Sequence, residues 1–485
     1  MNILFAAAEG APFIKTGGLA DVIGALPKAL LKEGHDIRVV LPKYKAIHGS
    51  FKEDMSPQGT TSVYVGWREK YCGIEMLVYE GVKVYFIDNE DYFGRDGVYG
   101  YGDDGERFAF FSRAVLEILP LIGFKPDVIH VHDWHTGPVP LLLRHHYAHE
   151  PFYKDMKTVF TIHNLLYQGI FPYEVLGDLL GLPDSYFTPD GVEYYGNVNY
   201  MKAGLVYADH VTTVSPTYAG EIQTSFYGYG LDGLLRSING RLSGIVNGID
   251  TKLYNPATDQ ALPVTYRSNL AKKRENKTKL QEELGLPAAP DVPLIGMVTR
   301  LVEPKGLDLV LRILDELLFF DEVQVVVLGT GDPAYENWFR EAAYRQPQKL
   351  SVKIMFDDSL SRRIYAGTDM FLMPSKFEPC GISQLLALRY GSIPIVRETG
   401  GLNDTVKAYN EFTGEGNGFT FTHYNAHDLL YTIRRAVHFY HLPEHWKKIV
   451  KNAFAGDYSW SVSAGEYLEI YNQITGKISD KGRLQ

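Results

Sequence analysis

Cysteine is nearly absent: Cys72 and Cys380 are the only two in 485 residues. That excludes a disulfide framework and points to a reducing compartment. Basic clusters are missing as well. The 48 Lys and Arg are outnumbered by 58 Asp and Glu, giving a net charge of −10, and no dense basic run occurs anywhere. General nucleic-acid binding and attachment to an anionic membrane both need clustered positive charge, so neither is expected. An anionic ligand would have to be met by a few placed cations. No apolar stretch approaches the length of a membrane span. The opening MNILFAAAEGAPF lacks a basic flank and is interrupted by Glu9, so it reads as a buried first strand rather than a signal peptide. Together these absences predict a cytoplasmic protein. Low-complexity tracts are absent too, and an apolar fraction of 45% is ordinary, so the whole chain should fold.

What is present is an α/β grammar used twice over a length suited to two large domains. Ile3 to Ala8 reads as a strand, Glu9 to Gly18 as a glycine loop, and Leu19 to Leu31 as a helix closed by Gly34. Lys15, Gly17 and Gly18 in that loop put a cation and two small residues at a helix N-terminus. A diphosphate needs backbone amides that approach closely, the positive end of a helix and a point charge. The G-x-x-x-x-G-K-[ST] order is absent, so this is no Walker A loop. Taken alone, Lys15 reads first as a solvated loop lysine. Thr61 to Asp88 alternates in short pieces and predicts an antiparallel insertion. Pro126 to His130 predicts a buried strand, followed by Val131-His132-Asp133-Trp134-His135. Three histidines and an aspartate within six residues invite a metal reading. Against it, no second cluster has comparable spacing, and a strand end sends alternate side chains to opposite faces. We therefore expect no metal, with Asp133 and Trp134 lining a cleft and the histidines bonding locally. Lys157 to Ile162 predicts a further strand ending in His163-Asn164, and Ile245 to Asp250 another ending in Asn247-Gly248. Periodicity breaks at Tyr254 to Asp259, where the linker is placed.

The second half restarts with a strand at Leu294 to Val298, a loop carrying Arg300, Lys305 and Gly306, and a helix from Leu307 to Leu318. After the next strand, Gly329-Thr330-Gly331-Asp332-Pro333-Ala334 loosely matches the dinucleotide fingerprint. Pro333 fills a variable place there and the nearest acidic candidate is Asp357, so a nicotinamide-dependent oxidoreductase stands only as an alternative. Met370 to Pro374, Ile382 to Tyr390 and Ile393 to Val396 form a strand, a helix and a strand. The loops between carry Glu378, Cys380 and Gly381, then Gly400 and Gly401. A carboxylate beside a helix-opening glycine loop could hold sugar hydroxyls with one and phosphate with the other. The plainer alternative is that Glu378 caps a helix and the glycines make turns.

Taken in order, Lys15-Thr16-Gly17-Gly18-Leu19-Ala20-Asp21-Val22, His132-Asp133-Trp134-His135, Thr161-Ile162-His163-Asn164, Val246-Asn247-Gly248-Ile249-Asp250, Thr299-Arg300-Leu301 with Lys305-Gly306, and Phe377-Glu378-Pro379-Cys380-Gly381 with Thr399-Gly400-Gly401-Leu402 resemble the bacterial glycogen synthases over nearly the whole chain. The resemblance implies the GT-B fold, two Rossmann-like doubly wound domains facing across a deep cleft. They would span residues 1–250 and 251–455, with 456–485 crossing back to the first. It implies transfer of glucose from ADP-glucose to the non-reducing 4-OH of glycogen or another α-1,4-glucan, with retention and without a cofactor. Residue by residue, Lys15, Gly17, Gly18, Arg300 and Lys305 resemble the diphosphate-binding groups and Glu378 the carboxylate that holds the donor glucose. Asp133, His163 and Asn247 resemble residues around the transferred sugar. Cys380, Gly381, Gly400 and Gly401 belong to the donor loops, and Phe356 stands where the family commonly places a Tyr beside adenine. A catalytically inactive glucan- or nucleotide-sensing protein on the same fold is a further alternative, disfavoured because Lys15, Lys305 and Glu378 all stand in their motifs.

Overall fold

The computed structural model describes residues 1–477. The chain divides into two compact units. Met1–Val214, Ala219–Ile245 and the chain from Ser463 form the first, and Ser215–Tyr218 with Val246–Val462 form the second. Residues 478–485 of the expected C-terminal segment lie outside the described residues.

Unit 1 holds the strands β1 (Asn2–Ala6), β2 (Asp36–Pro42), β3 (Ser56–Val65), β4 (Arg68–Tyr79), β5 (Val82–Asp88), β6 (Val128–His132), β7 (Lys157–Ile162), β8 (Ile170–Pro172), β9 (Glu193–Tyr194), β10 (Asn197–Asn199), β11 (His210–Thr213) and β12 (Leu242–Gly244). Nine of them form one sheet in the order β12-β11-β7-β6-β1-β2-β5-β4-β3. The expected antiparallel insertion is β3 to β5, joined antiparallel and attached through the parallel β2–β5 pair. Ile3, Leu4, Phe5 and Ala6 are wholly buried, as a parallel strand covered on both faces requires. The sheet order reverses beside β1, because the chain steps to β2 on one side and later to β6 and β7 on the other. The loops after β1 and β6 therefore leave at a switch point, where open α/β sheets bind ligands. Tyr167 to Tyr200, aperiodic in sequence, contains the small sheet β8-β10-β9, whose strands are too short to show a period.

The strand expected at Ile245–Asp250 does not form; β12 ends at Gly244. The amide of Ile249 instead donates to the carbonyl of Tyr458 at 2.8 Å, and that of Asn247 to Cys380 Sγ at 3.4 Å. Ile245 still donates to Thr213 of β11 at 2.9 Å, but these later partners belong to unit 2, so the segment leaves the sheet after its first residue. Tyr254 to Asp259 also belongs to unit 2, where the buried Asp259 accepts from Tyr390 at 2.5 Å and Arg362 at 3.0 Å. The unit boundary at Val246 thus precedes the expected linker.

Unit 2 carries β13 (Leu294–Val298), β14 (Gln324–Leu328), β15 (Leu350–Lys353), β16 (Met370–Met373), β17 (Ile393–Arg397) and β18 (Phe419–Phe421), all parallel in the order β15-β14-β13-β16-β17-β18. Its switch point lies between β13 and β16. Helix Leu307–Phe320 buries Leu307, Val310, Leu314 and Leu317 at helical spacing against this sheet's core. The helix Trp460–Thr475 begins in unit 2 and continues from Ser463 in unit 1, where Tyr467 and Tyr471 are fully buried. No described helix is long and apolar enough to cross a membrane.

Candidate active site

The switch point of unit 2 brings two predicted residues together. Lys305, in the loop after β13, places Nζ 2.6 Å from Oε2 of Glu378, in the loop after β16. Ser375 Oγ donates to the same carboxylate oxygen at 3.2 Å. Glu378 is buried, and the helix beyond it has Ile382 as its N-cap, so it does not cap that helix. A buried carboxylate needs paired charge and hydrogen bonds, and here it has both.

The glycines explain how these loops approach so closely. Gly306 has φ of 73°, and a Cβ there would stand 2.0 Å from the carbonyl oxygen of Pro374. Gly400 has φ of 45°, with 1.9 Å left to the carbonyl oxygen of Glu378. A Cβ at Gly401 would meet the carbonyl oxygen of Cys380 at 2.1 Å. No side chain fits at these distances, so the loops of β13, β16 and β17 interlock through glycine backbone. The Gly401 amide donates to the carbonyls of Glu378 and Pro379, which makes packing its first task.

Asn247 joins the same group. Its amide contacts Cys380 Sγ, and its buried Oδ1 has no hydrogen-bond partner among the described residues, leaving an acceptor open beside the Glu378 loop. Burial pushes the Cys380 thiol up to about 12, so it stays protonated and is no nucleophile. Arg300 shares the Lys305 loop and is exposed. Phe356 stands apart, 87% exposed, beyond β15. Its neighbour Asp357 caps the helix Asp358–Gly367 by accepting from the Leu360 amide, and Asp358 pairs with Arg362. These acids therefore do local structural work.

The fingerprint-like loop after β14 has a structural explanation. Cβ atoms at Gly329 and Gly331 would stand 1.8 Å and 2.4 Å from the carbonyl oxygens of Thr299 and Leu301. The Gly331 amide donates to Glu336, and Asp332 caps the next helix. Two carboxylates thus take the Gly331 and Ala334 amides that a pyrophosphate would need, which removes the case for a nicotinamide site.

In unit 1, Asp133 and His163 meet at adjacent strand ends. Asp133 Oδ1 accepts from the amides of His163 at 2.7 Å and Asn164 at 3.5 Å. Asp133 has φ of 55° and ψ of −178°, a conformation costly for a residue with a side chain and characteristic of functional sites. Burial pushes its carboxyl up to about 7, against the lowering effect of those two amides. Lys15 is exposed and pairs with Asp21 at 2.7 Å. Gly17 is the N-cap of helix Gly18–Lys32 with no side-chain cap, and a Cβ at Gly18 would meet nothing within 4 Å. The space at Gly18 is open, unlike that at the glycines of unit 2, while the Glu9 carboxylate lies against Gly17.

Two expectations change here. Trp134 is packed against Phe108, His135 and Phe171 and belongs to the core rather than to a lining surface. The histidines do not bond locally: His130 meets Tyr471 and Thr161, at 2.7 Å and 2.6 Å, and His132 meets His163 at 3.0 Å. Among the described residues no group of three or more His, Cys, Asp or Glu is placed to hold a metal.

Sequence reasoning missed Glu9, Ser375 and His132 as site components. Glu9 is buried and accepts the Thr16 amide at 2.5 Å, tying the Lys15 loop to the end of β1. Its signal was a carboxylate interrupting an apolar run at a strand terminus. Ser375 gave no signal beyond lying three residues before Glu378.

Residues 2–237 match the family described as Starch synthase catalytic domain, and residues 278–453 match Glycosyl transferases group 1. A glycogen synthase of Desulforamulus reducens is 57% identical over 98% of this chain and 99% of its own. A glycogen synthase of Geobacillus stearothermophilus is likewise 57% identical, over 98% of both chains. Among solved structures, the catalytic domain of starch synthase IV from Arabidopsis thaliana, bound to ADP and acarbose, superposes with a TM-score of 0.91. It is 37% identical, covering 98% of this chain and 99% of that one.

Proposed function

Since the chain belongs to the glycogen synthase family and is a glycosyltransferase of the GT-B fold, we propose that its donor is ADP-glucose, its acceptor the non-reducing 4-OH of an α-1,4-glucan, and its stereochemical course retention. The observation that carries this reading is the Lys305–Glu378 pair, a cation and a buried carboxylate 2.6 Å apart at the switch point of a parallel sheet. Cleaving a sugar–diphosphate bond puts negative charge on the departing phosphate and positive charge on the sugar ring. In unit 2 Lys305 and Arg300 serve the first, and in unit 1 Lys15, Gly17 and Gly18 are the phosphate-binding candidates. Glu378 serves the second, as does Asp133 in the form it takes above about pH 7, when its carboxyl has ionised. Asn247 Oδ1 accepts from a donor hydroxyl, His163 contacts the transferred sugar, and exposed Phe356 stacks on the base. Cys380, Gly381, Gly400 and Gly401 hold the donor loops in register. The acceptor O4 attacks C1 on the face that the phosphate leaves. As the C1–O bond to phosphate breaks and the C1–O4 bond forms, the O4 proton passes to the departing phosphate oxygen, releasing ADP.

The test is incubation with radiolabelled ADP-glucose and glycogen, followed by precipitation of the polymer. Label in the pellet, released by an enzyme that cuts α-1,4 bonds, is the expected result. A pellet labelled from UDP-glucose and not from ADP-glucose would overturn the donor assignment.

A further inference from the structure

Strand β6 ends in His132, buried and packed against His130 and Phe5, with ring centroids 4.3 Å and 5.8 Å away. Its Nδ1 lies 3.0 Å from His163 Nε2, while its own Nε2 is buried with no partner among the described residues. His163 Nδ1 makes no hydrogen bond among the described residues. Burial pushes all three histidines well down, His163 to about 3, so each is a neutral ring carrying one proton. One of the two facing nitrogens must donate. Were it His163 Nε2, the single proton of His132 would sit on Nε2, an orphaned N–H in the interior. If His132 Nδ1 donates, the orphan in the interior is only a lone pair, and the unbonded N–H falls on Nδ1 of His163, whose ring is half-buried rather than enclosed. Orphaned buried N–H groups are the rarer, because a donor left without an acceptor loses its full hydration. His130 offers no escape, since Tyr471 and Thr161 engage both of its nitrogens.

We propose that His132 is a positioning residue that fixes the tautomer of His163. By donating from Nδ1 to His163 Nε2, it places the His163 proton on Nδ1. His163 then presents the sugar with an N–H donor and has no free ring lone pair to act as a base. The assignment of the sugar contact to His163 rests on the glucosyl-transfer reading above; the tautomer does not.

The experiment uses the full chain labelled with ¹⁵N-histidine. Couplings between ring nitrogens and carbon-bound protons distinguish the two neutral tautomers, and His163→Asn identifies the His163 signals. The Nδ1–H form is expected at His163 in the wild type. In His132→Leu the ring should change to Nε2–H, the usual form of an unconstrained imidazole, while turnover drops roughly tenfold or more and ADP affinity holds. His132→Asn, whose amide N–H stands near the place of Nδ1, should restore most of the rate. An Nε2–H signal at His163 in the wild type overturns the proposal, and that spectrum decides it even if His132→Leu does not fold. Failure of label transfer from ADP-glucose alongside the Nδ1–H form would instead sink the reaction reading and leave the tautomer standing.

Discussion

Glu378 and Lys305 each set the other's charge environment, which gives the pair separable signatures. Glu378→Gln keeps the shape and removes the charge, so ADP, which carries no glucose, should bind as well or somewhat better once Lys305 is no longer neutralised. Turnover should fall by roughly 10²-fold, the scale of losing one preorganised electrostatic partner. Lys305→Ala should weaken ADP binding and rate together; calorimetric titration and initial rates separate the two variants, and near-normal turnover in Glu378→Gln would return that loop to a structural role. Asp133 gives a pH signature. Burial holds its carboxyl up at about 7 against an ordinary 3.8. Between those values the folded chain keeps a proton that the unfolded chain has lost, so Asp133 lowers stability as pH rises through that window, and its cost is complete above it. The cost is at most on the order of 4 kcal/mol. Asp133→Asn removes this titration while keeping an acceptor for the His163 amide. Its melting temperature relative to wild type should therefore climb from pH 4 to pH 7 and level off beyond; a flat difference would mean that Asp133 titrates normally.

At the scale of elements, the glycines divide into two kinds that one substitution separates. Gly400→Ala forces a Cβ against the Glu378 carbonyl from a left-handed backbone, so it should destabilise unit 2 by roughly 2 kcal/mol or more and take activity with it. Gly18→Ala adds a methyl into open space at a helix N-terminus and should leave the melting temperature nearly unchanged, while raising the donor KM if phosphate approaches that backbone. Both effects are read by thermal unfolding beside donor titration. The loops themselves were legible in the sequence because buried parallel strands are continuous apolar runs and the residues that break them are loop residues. Lys157–Ile162 and Leu294–Val298 fall where the sequence places them. What lies beyond the reach of a linear reading is pairing. Tyr471 stands 341 residues from the His130 it bonds, and the contact of Glu378 with Lys305 spans 73. Ile245–Asp250 failed as a strand for the same reason, since after Ile245, whose amide still donates to Thr213 of β11, the amides of Asn247 and Ile249 answer to Cys380 and Tyr458.

At the scale of the whole chain, the helix Trp460–Thr475 supplies Tyr467 and Tyr471 to the core of unit 1, although the rest of that unit ends at Ile245. Truncation after Val462 would uncover the apolar ground around His130 and leave its Nδ1 without a partner, a loss of several kcal/mol by burial and hydrogen bonding together. Unit 1 should then melt first, in a separate calorimetric transition, while unit 2 keeps measurable affinity for ADP through Lys305; a single unshifted transition would show the helix to be dispensable. The same helix sets a schedule for synthesis. The ribosome makes about two hundred residues of unit 2 between Ile245 and Ser463, which at ordinary elongation rates keeps unit 1 waiting for roughly ten to forty seconds with its helix docking surface open. The first half of the chain is therefore completed last, and a message cut short anywhere in unit 2 yields a polypeptide that can never close its own first core, marking it for capture by chaperones and proteases.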